Sequence, residues 1–363
     1  MKIIKTLIVM LSSVSLFASA NAGELGVSGT AKATYNILSG QTNVSKGIGI
    51  TNELNFTASG ELDNGYTWSY SMELDPDAVA ADNGAAQNDD TKLTVSTPYG
   101  TFGVFVSEGG LDVEDAGSQS VYARPTDMGD PSATSDNYTI DSYNNIQYHT
   151  PAGLLPYGIT AKIGYAPSTN TGADDYQATG AARSNTASNL GTTAAGGLTV
   201  TAGGNSVSHY QVKANELPFL DGLSIGADYL EFGGVEGANS QAPSSGAYFA
   251  TYVMGPATIG YSKGYLATAI GASADVLESI ESTKYSISAN VSDDLSISYE
   301  HEESNPDFTT AATANYTLES TGIQAAYTMG GMTLAIAMND HENAKYQNGV
   351  DIKDTVFSVA MAF

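Results

Sequence analysis

Apolar and polar residues alternate one by one through most of this chain, and only a sheet with two unlike faces makes use of that pattern. Tyr66, Trp68, Tyr70, Met72 and Leu74 share one parity while Thr67, Ser69, Ser71 and Glu73 hold the other, directly after Asp63-Asn64-Gly65. A turn of that composition between two alternating runs marks a hairpin. The rhythm starts at Leu25, Val27, Gly29, Ala31, Ala33 and Tyr35 and is still present at Phe357, Val359, Met361 and Phe363. Tyr157, Ile159, Ala161, Ile163 and Tyr165 form another run. At a rise of ~3.3 Å its end tyrosines lie roughly 26 Å apart, the spacing of two aromatic girdles around an apolar band.

The joins between these runs are sorted. Short ones fall at 63–65, 98–100, 151–156, 215–222, 254–256, 292–294 and 329–331. Long ones centre on Ser39, Asp82, Asp115, Gly180, Gly237, Gly271, Asn305 and Asn343. Seven short joins and eight long ones call for about sixteen antiparallel strands. Short turns at one end and long loops at the other are the signature of a transmembrane β-barrel of the outer-membrane type. A soluble sandwich has no reason to sort its connections, and no later stretch approaches the ~20 apolar residues of a spanning helix.

Residues 1–22 read differently. Lys2 and Lys5 precede an apolar run from Leu7 to Phe17, and Ala20-Asn21-Ala22 supplies a small-x-small cleavage site. This is the pattern of a secretory signal peptide, leaving residues 23–363 as one barrel domain. The chain carries 39 Asp and Glu against 13 Lys and Arg. That balance argues against a nucleic-acid partner, since phosphates are bound by Lys and Arg. There is no cysteine, hence no disulfide framework and no thiol chemistry.

One join is too long and too patterned in charge to be a plain connection. From Glu108 to Asp141 there is no strand rhythm, and the segment carries Glu108, Asp112, Glu114, Asp115, Asp127 and Asp130 with Arg124 as its only base. A structureless stretch of that length in a compact fold is usually functional. The expectation is that it folds into the barrel and forms the narrowest part of a pore.

The stretch Tyr99-Gly100-Thr101-Phe102-Gly103-Val104-Phe105-Val106-Ser107-Glu108-Gly109-Gly110 and the ending Val356-Phe357-Ser358-Val359-Ala360-Met361-Ala362-Phe363 resemble the general diffusion porins of Gram-negative outer membranes. The resemblance is closest to the sixteen-stranded members, which form trimers. It implies a water-filled channel for small hydrophilic solutes and ions, an inward-folded third loop, a homotrimer in outer-membrane lipid, and recognition of Phe363 by the assembly machinery. It also implies an acidic loop facing a basic wall on the first four strands and the last. Here the basic half departs from the family. Lys32 and Lys92 face inward by parity, but so do Glu53, Glu73 and Asp354, and both arginines, Arg124 and Arg183, fall in loops. Lys162, Lys213 and Lys284 face inward elsewhere. A lumen with this balance favours cations, because acidic rings admit them.

No cofactor is expected. The acidic loops at Asp75, Asp77, Asp82, Asp89 and Asp90, and at Glu300 to Glu303, offer oxygen ligands for Ca²⁺ but lack the spacing of a dedicated calcium loop. Solvated, mutually repelling loops are the expectation there. His149, His209, His301 and His341 lie far apart in sequence, and no serine near them sits in a nucleophile elbow. No hydroxyl and histidine can be paired for hydrolysis. A substrate-selective channel or a surface adhesin on the same barrel is the alternative function, and an outer-membrane enzyme a third.

Overall fold

The computed structural model describes residues 24–40, 45–75, 87–129, 131, 137–167, 206–215, 217, 220–233, 239–268, 270–271, 277–309 and 315–363. The expected leader 1–22, Asp77, Asp82, Asp130 and Arg183 lie outside them. The strands are β1 (Glu24–Gly40), β2 (Ser45–Glu61), β3 (Thr67–Asp75), β4 (Gln87–Thr97), β5 (Gly100–Val106), β6 (Asn145–His149), β7 (Ile159–Ala166), β8 (Val207–Ala214) and β9 (Leu223–Phe232). The second half adds β10 (Asn239–Gln241), β11 (Ser244–Met254), β12 (Ala257–Ala267), β13 (Ile270–Gly271), β14 (Leu277–Asn290) and β15 (Leu295–Phe308). It ends with β16 (Leu318–Met329), β17 (Met332–Glu342) and β18 (Ile352–Ala362). All except β10 and β13, which pair with each other, form one closed antiparallel barrel. Closure is made by β1 on β18, with Thr30 opposite Ala362 and Gly40 opposite Ile352. Phe363 extends that ladder, exchanging N–H···O bonds with Gly29 at 2.8 and 2.9 Å.

Parity decides the two faces. On β16, Ile323 is 63% exposed and its neighbour Gln324 is 2% exposed. The exposed row continues around the barrel through Val27, Ile50, Val104, Val212, Ile287, Tyr299, Met338 and Phe357. In a closed barrel this apolar face is the outer one, and the polar row faces the lumen. Aromatic side chains join neighbouring strands on the outside. The Tyr261 ring is tilted against Tyr285 at 5.2 Å and Tyr248 at 6.1 Å, and Phe102 lies 4.9 Å from Tyr148. Such cross-strand pairs stabilise a sheet and fix its register.

Several expectations need correction: Asn305, expected at the centre of a long join, lies inside β15, and Asp75, expected in an acidic loop, is the last residue of β3. Glu300 to Glu303 are not a loop: they sit inside β15, so Glu300 and Glu302 point inward and Glu303 outward. Asp89 and Asp90 belong to β4. Ser39 lies in β1, and β1 and β2, 17 residues each, are joined by residues 41–44 alone. The strands run on past the point where apolar alternation stops, because backbone pairing continues beyond the apolar band. Tyr157 is not in a strand either. It takes a left-handed conformation (φ 60°) in a short 3₁₀ turn before β7, so the span from Tyr157 to Tyr165 is not an extended one.

The outward row carries a direct test. Replacing Ile323 by Arg is expected to destabilise the folded barrel by ~2–4 kcal/mol in denaturant titrations in lipid, whereas Thr34→Lys on the inner face should change it by less than ~1 kcal/mol. Equal costs at both positions would reverse the assignment of faces.

Candidate functional site

The segment between β5 and β6 does not project from the barrel. It lies along the polar face of β7 to β18, and the contacts repeat a simple plan in which apolar side chains provide footing and hydrogen bonds fix the path. Near its start, Leu111 packs with Ile140 and Tyr143 against Ala166, Val207, Leu230 and Phe232. Val113 packs against Ala247 and Phe249. Near its far end, Met128 packs against Ala337 and Val356, with Tyr122 and Ala123 beside it. Each such buried side chain contributes ~1.5–3 kcal/mol. These apolar residues lie on the otherwise polar inner face where the segment covers them.

Between those footings the backbone is held by wall side chains. Gln211 Nε2 donates to the Leu111 carbonyl (2.7 Å) and the Val113 N–H donates to Asp228 Oδ1 (2.9 Å). Ser286 Oγ donates to the Gly117 carbonyl at 2.7 Å. Farther along, the Tyr122 N–H donates to Gln324 Oε1 at 2.9 Å, and Gln324 Nε2 donates to the Ala123 carbonyl. Gly117 and Gly260 meet face to face. A Cβ on Gly117 would stand 2.6 Å from the Tyr261 carbonyl, so only glycine allows this backbone to lie on β12.

Charge is compensated at the same interface. Lys284 on β14 is fully buried and its ammonium reaches Asp115 (2.8 Å), Glu114 (3.3 Å) and Glu302 (3.7 Å). Glu114 also accepts from Ser282 Oγ (2.5 Å) and the Asn137 N–H (2.9 Å). Glu302 accepts the Thr126 N–H (3.1 Å) and its hydroxyl, while Glu300 accepts Ser118 Oγ (2.5 Å) and Ser120 Oγ (2.7 Å). Arg124 bridges Asp115 and Asp127, each at 2.6 Å. Lost hydration beside the wall works against a charged Asp115 although its carboxyl still meets solvent, yet Lys284 and Arg124 outweigh that and hold the carboxyl below the usual carboxylate range.

Asp112 and Asp141 form no such ion pair among the described residues, and the Thr139 hydroxyl offsets their burial only in part. Both converge on Gly110, where an added Cβ would stand 2.7 Å from Asp141 Oδ2 and 3.2 Å from Asp112 Oδ1. Burial pushes the Asp112 carboxyl above its ordinary value and Asp115 adds to the rise. Asp141 is raised by burial too, with Asp112 contributing. Burial also lifts the Tyr143 phenol to about 12.

The sequence-derived residues therefore divide. Glu108 is paired with Lys92 on β4 at 2.7 Å. Asp115 and Asp127 are exposed but salt-bridged, Glu114 is sealed between loop and wall, and Asp112 is partly open. Lys32 on β1 points its ammonium at the Tyr122 ring, 5.8 Å from the centroid. Glu53 lies on the inner face of β2, within 3.3 Å of the Thr30 hydroxyl, and Glu73 on that of β3. Asp354 is 2% exposed, covered by Gly129, and bonded to His341 Nε2 (3.1 Å) and Asn339 Nδ2 (3.1 Å).

Reading by sequence alone missed the wall partners Asp228, Glu300 and Glu302, although their parity with Lys284 was there to be read. It also missed two histidine–hydroxyl pairs. Ser320 Oγ lies 2.9 Å from His341 Nδ1, completing a chain with Asp354, and Thr321 lies 3.1 Å from His301. The first is fully buried under the loop, with Ser320 and His341 both 0% exposed. The second sits in paired strands whose N–H groups are used in the ladder, leaving none aimed at an oxyanion.

Lys284→Met should leave Glu114 and Glu302 buried without a cation. The expected cost is ~3–5 kcal/mol of loop anchoring, seen as a noisier and larger single-channel conductance with the barrel still folded. An unchanged channel would mean that the apolar footings alone hold the segment.

Comparison with known proteins places this geometry. The family model described as Gram-negative porin matches residues 6–363. No curated protein sequence matches. Among solved structures, OmpT of Vibrio cholerae in its trimer form is similar at TM-score 0.62 and 12% identity, covering 94% of this chain and 100% of that one. Salmonella typhi OmpF in complex with daunomycin is similar at 0.63 and 11% identity, covering 95% and 99%. An anion-selective porin from Comamonas acidovorans is similar at 0.60 and 14% identity, covering 94% and 100%. Family and fold point to a channel rather than an enzyme. With its closed barrel, apolar outer band and matched family model, this chain belongs to the Gram-negative porins and resides in the outer membrane.

Proposed function

We propose that the barrel is a passive diffusion channel for small hydrophilic solutes and ions, narrowest where the loop of residues 108–141 faces the inner wall of β1 to β5, and that it prefers cations. Residues 1–22 serve as the export leader and 23–363 as the channel. By analogy with the trimer form of the Vibrio cholerae protein, the working unit is three copies of this chain. The observation that carries the reading is the charge left after pairing. Arg124, Lys284 and Lys92 neutralise part of the loop, yet Asp112, Asp141 and Glu53 have no ion-pair partner among the described residues. A polar lumen with surplus carboxylate attracts cations, and the low-dielectric wall strengthens that attraction.

The deciding measurement is the reversal potential of refolded protein in a planar bilayer under a KCl gradient. A cation-selective potential is expected. An anion-selective one would keep the channel and overturn the charge reading, and folded protein without conductance would overturn both.

Selectivity should also depend on pH in a stated direction. A carboxyl is charged above its pKa and neutral below it, and Asp112 and Asp141 are both raised. They lose charge at a higher pH than ordinary aspartates, which titrate near ~4. On acidification, cation preference should therefore begin to fall at a higher pH than it would in a channel lined by ordinary aspartates. The double variant Asp112→Asn with Asp141→Asn should show the reduced preference already at neutral pH and lose this part of the pH response.

A further inference from the structure

The wall carries two adjacent lysines that form no ion pair among the described residues. Lys162 on β7 and Lys213 on β8 are inward-facing diagonal neighbours: Lys162 is opposite Gln211, and Thr160 is opposite Lys213. Diagonal residues on one face lie ~7–8 Å apart, within reach of two long side chains. Neither ammonium forms an ion pair among the described residues, although the chain has 39 acids for 13 bases. Composition does not force this.

Lys213 is held rather than loose. Gly226 on β9 lies opposite it, and a Cβ there would stand 2.9 Å from Lys213 Cγ and 2.5 Å from the Phe249 ring. The missing side chain is a slot for the lysine stem, and the ammonium sits 5.7 Å from the Phe249 centroid. On the other side, His149 is opposite Lys162. Gln147 Nε2 donates to the Gly109 carbonyl (2.5 Å) and to Asn145 Oδ1 (2.9 Å), so its Oε1 accepts from His149 Nε2 at 2.7 Å. Lys213 is next to last in β8, before the short join 215–222, so the pair lies toward the short-turn rim, below the level at which Leu111 packs.

We propose that Lys162 and Lys213 form a binding subsite for small oxyanions, carboxylates above all, on the short-turn side of the constriction. This deepens the channel reading and rests on it: a solute passes the surplus acids of the loop and then meets two ammonium groups fixed on the wall. Solutes bearing both an amine and a carboxylate would find a partner for each in sequence.

Succinate is the probe. In planar bilayers it should partly block KCl current, more strongly from the short-turn side. Lys162→Gln with Lys213→Gln should weaken the block about tenfold, while Lys353→Gln on the outer face leaves it unchanged. Equilibrium dialysis of succinate against folded protein in detergent reads the same site without conduction, and should show the same loss. Folding of each variant is checked by its far-ultraviolet circular dichroism, and Lys162→Arg with Lys213→Arg should retain binding. Channels that conduct KCl but ignore succinate, or a double glutamine variant that binds it equally, would sink the subsite and spare the channel. Absence of binding in dialysis would sink it whether or not the protein conducts.

Discussion

A strand in hydrocarbon has no water to satisfy its N–H and C=O groups, so each must find a partner in the neighbouring strand. Everything else in this molecule depends on that constraint. It demands a closed ladder, and the pairing of β1 with β18, extended by Phe363 onto Gly29, supplies the last edge. Closure in turn gives every strand one inside and one outside, and period-two alternation then assigns each side chain to lipid or lumen with no further choice. The exposed Ile323 and the sealed Gln324 follow from the same rule applied to adjacent residues.

Once the ladder is closed the interior is a polar cavity, and the loop between β5 and β6 must lie in it without costing more than it gains. It does so by being partly a core. Leu111, Val113, Ile140 and Met128 meet apolar wall residues placed where the loop runs, and buried Lys284 answers the carboxylates of loop and wall together. Removing charge from water is costly unless the partners are close and hydrogen-bonded. Glu114, Glu300 and Glu302 each have a hydroxyl or N–H donor as well. The loop is therefore held in place by apolar footings and a buried charge network together.

How much of this could be read from the chain follows from the range of each signal. Strand number, face assignment and the special loop were legible because they rest on local alternation and on the lengths between runs. Strand ends were less so: Glu300 to Glu303 look like an acidic loop, yet backbone pairing carries β15 through them. Tyr157 alternates correctly but turns left-handed before its strand begins. Partners across the lumen were not legible. Nothing in the spacing of Asp228 or Glu302 says that Val113 or Thr126 will lie against them, because those contacts depend on where a long segment settles on a surface that exists only after closure. The same holds for Ser320, His341 and Asp354, which alternation scatters over three strands and register brings into line.

The expectation of a transverse field, acids on the loop against bases on the facing wall, meets a different distribution here. Lys92 faces the loop but is engaged by Glu108, and Lys32 is engaged by the Tyr122 ring. Lys162 and Lys213, which form no ion pair among the described residues, stand on β7 and β8, beneath the root of the loop rather than across from it. Opposite charges separated along the path, instead of across it, act on a solute in succession. Because screening reduces interactions beyond ~8 Å at physiological salt, each zone is felt mainly when the solute is beside it. If the proposed acidic zone and lysine subsite act in turn, the channel sorts solutes by the order of their charged groups as well as by their sum.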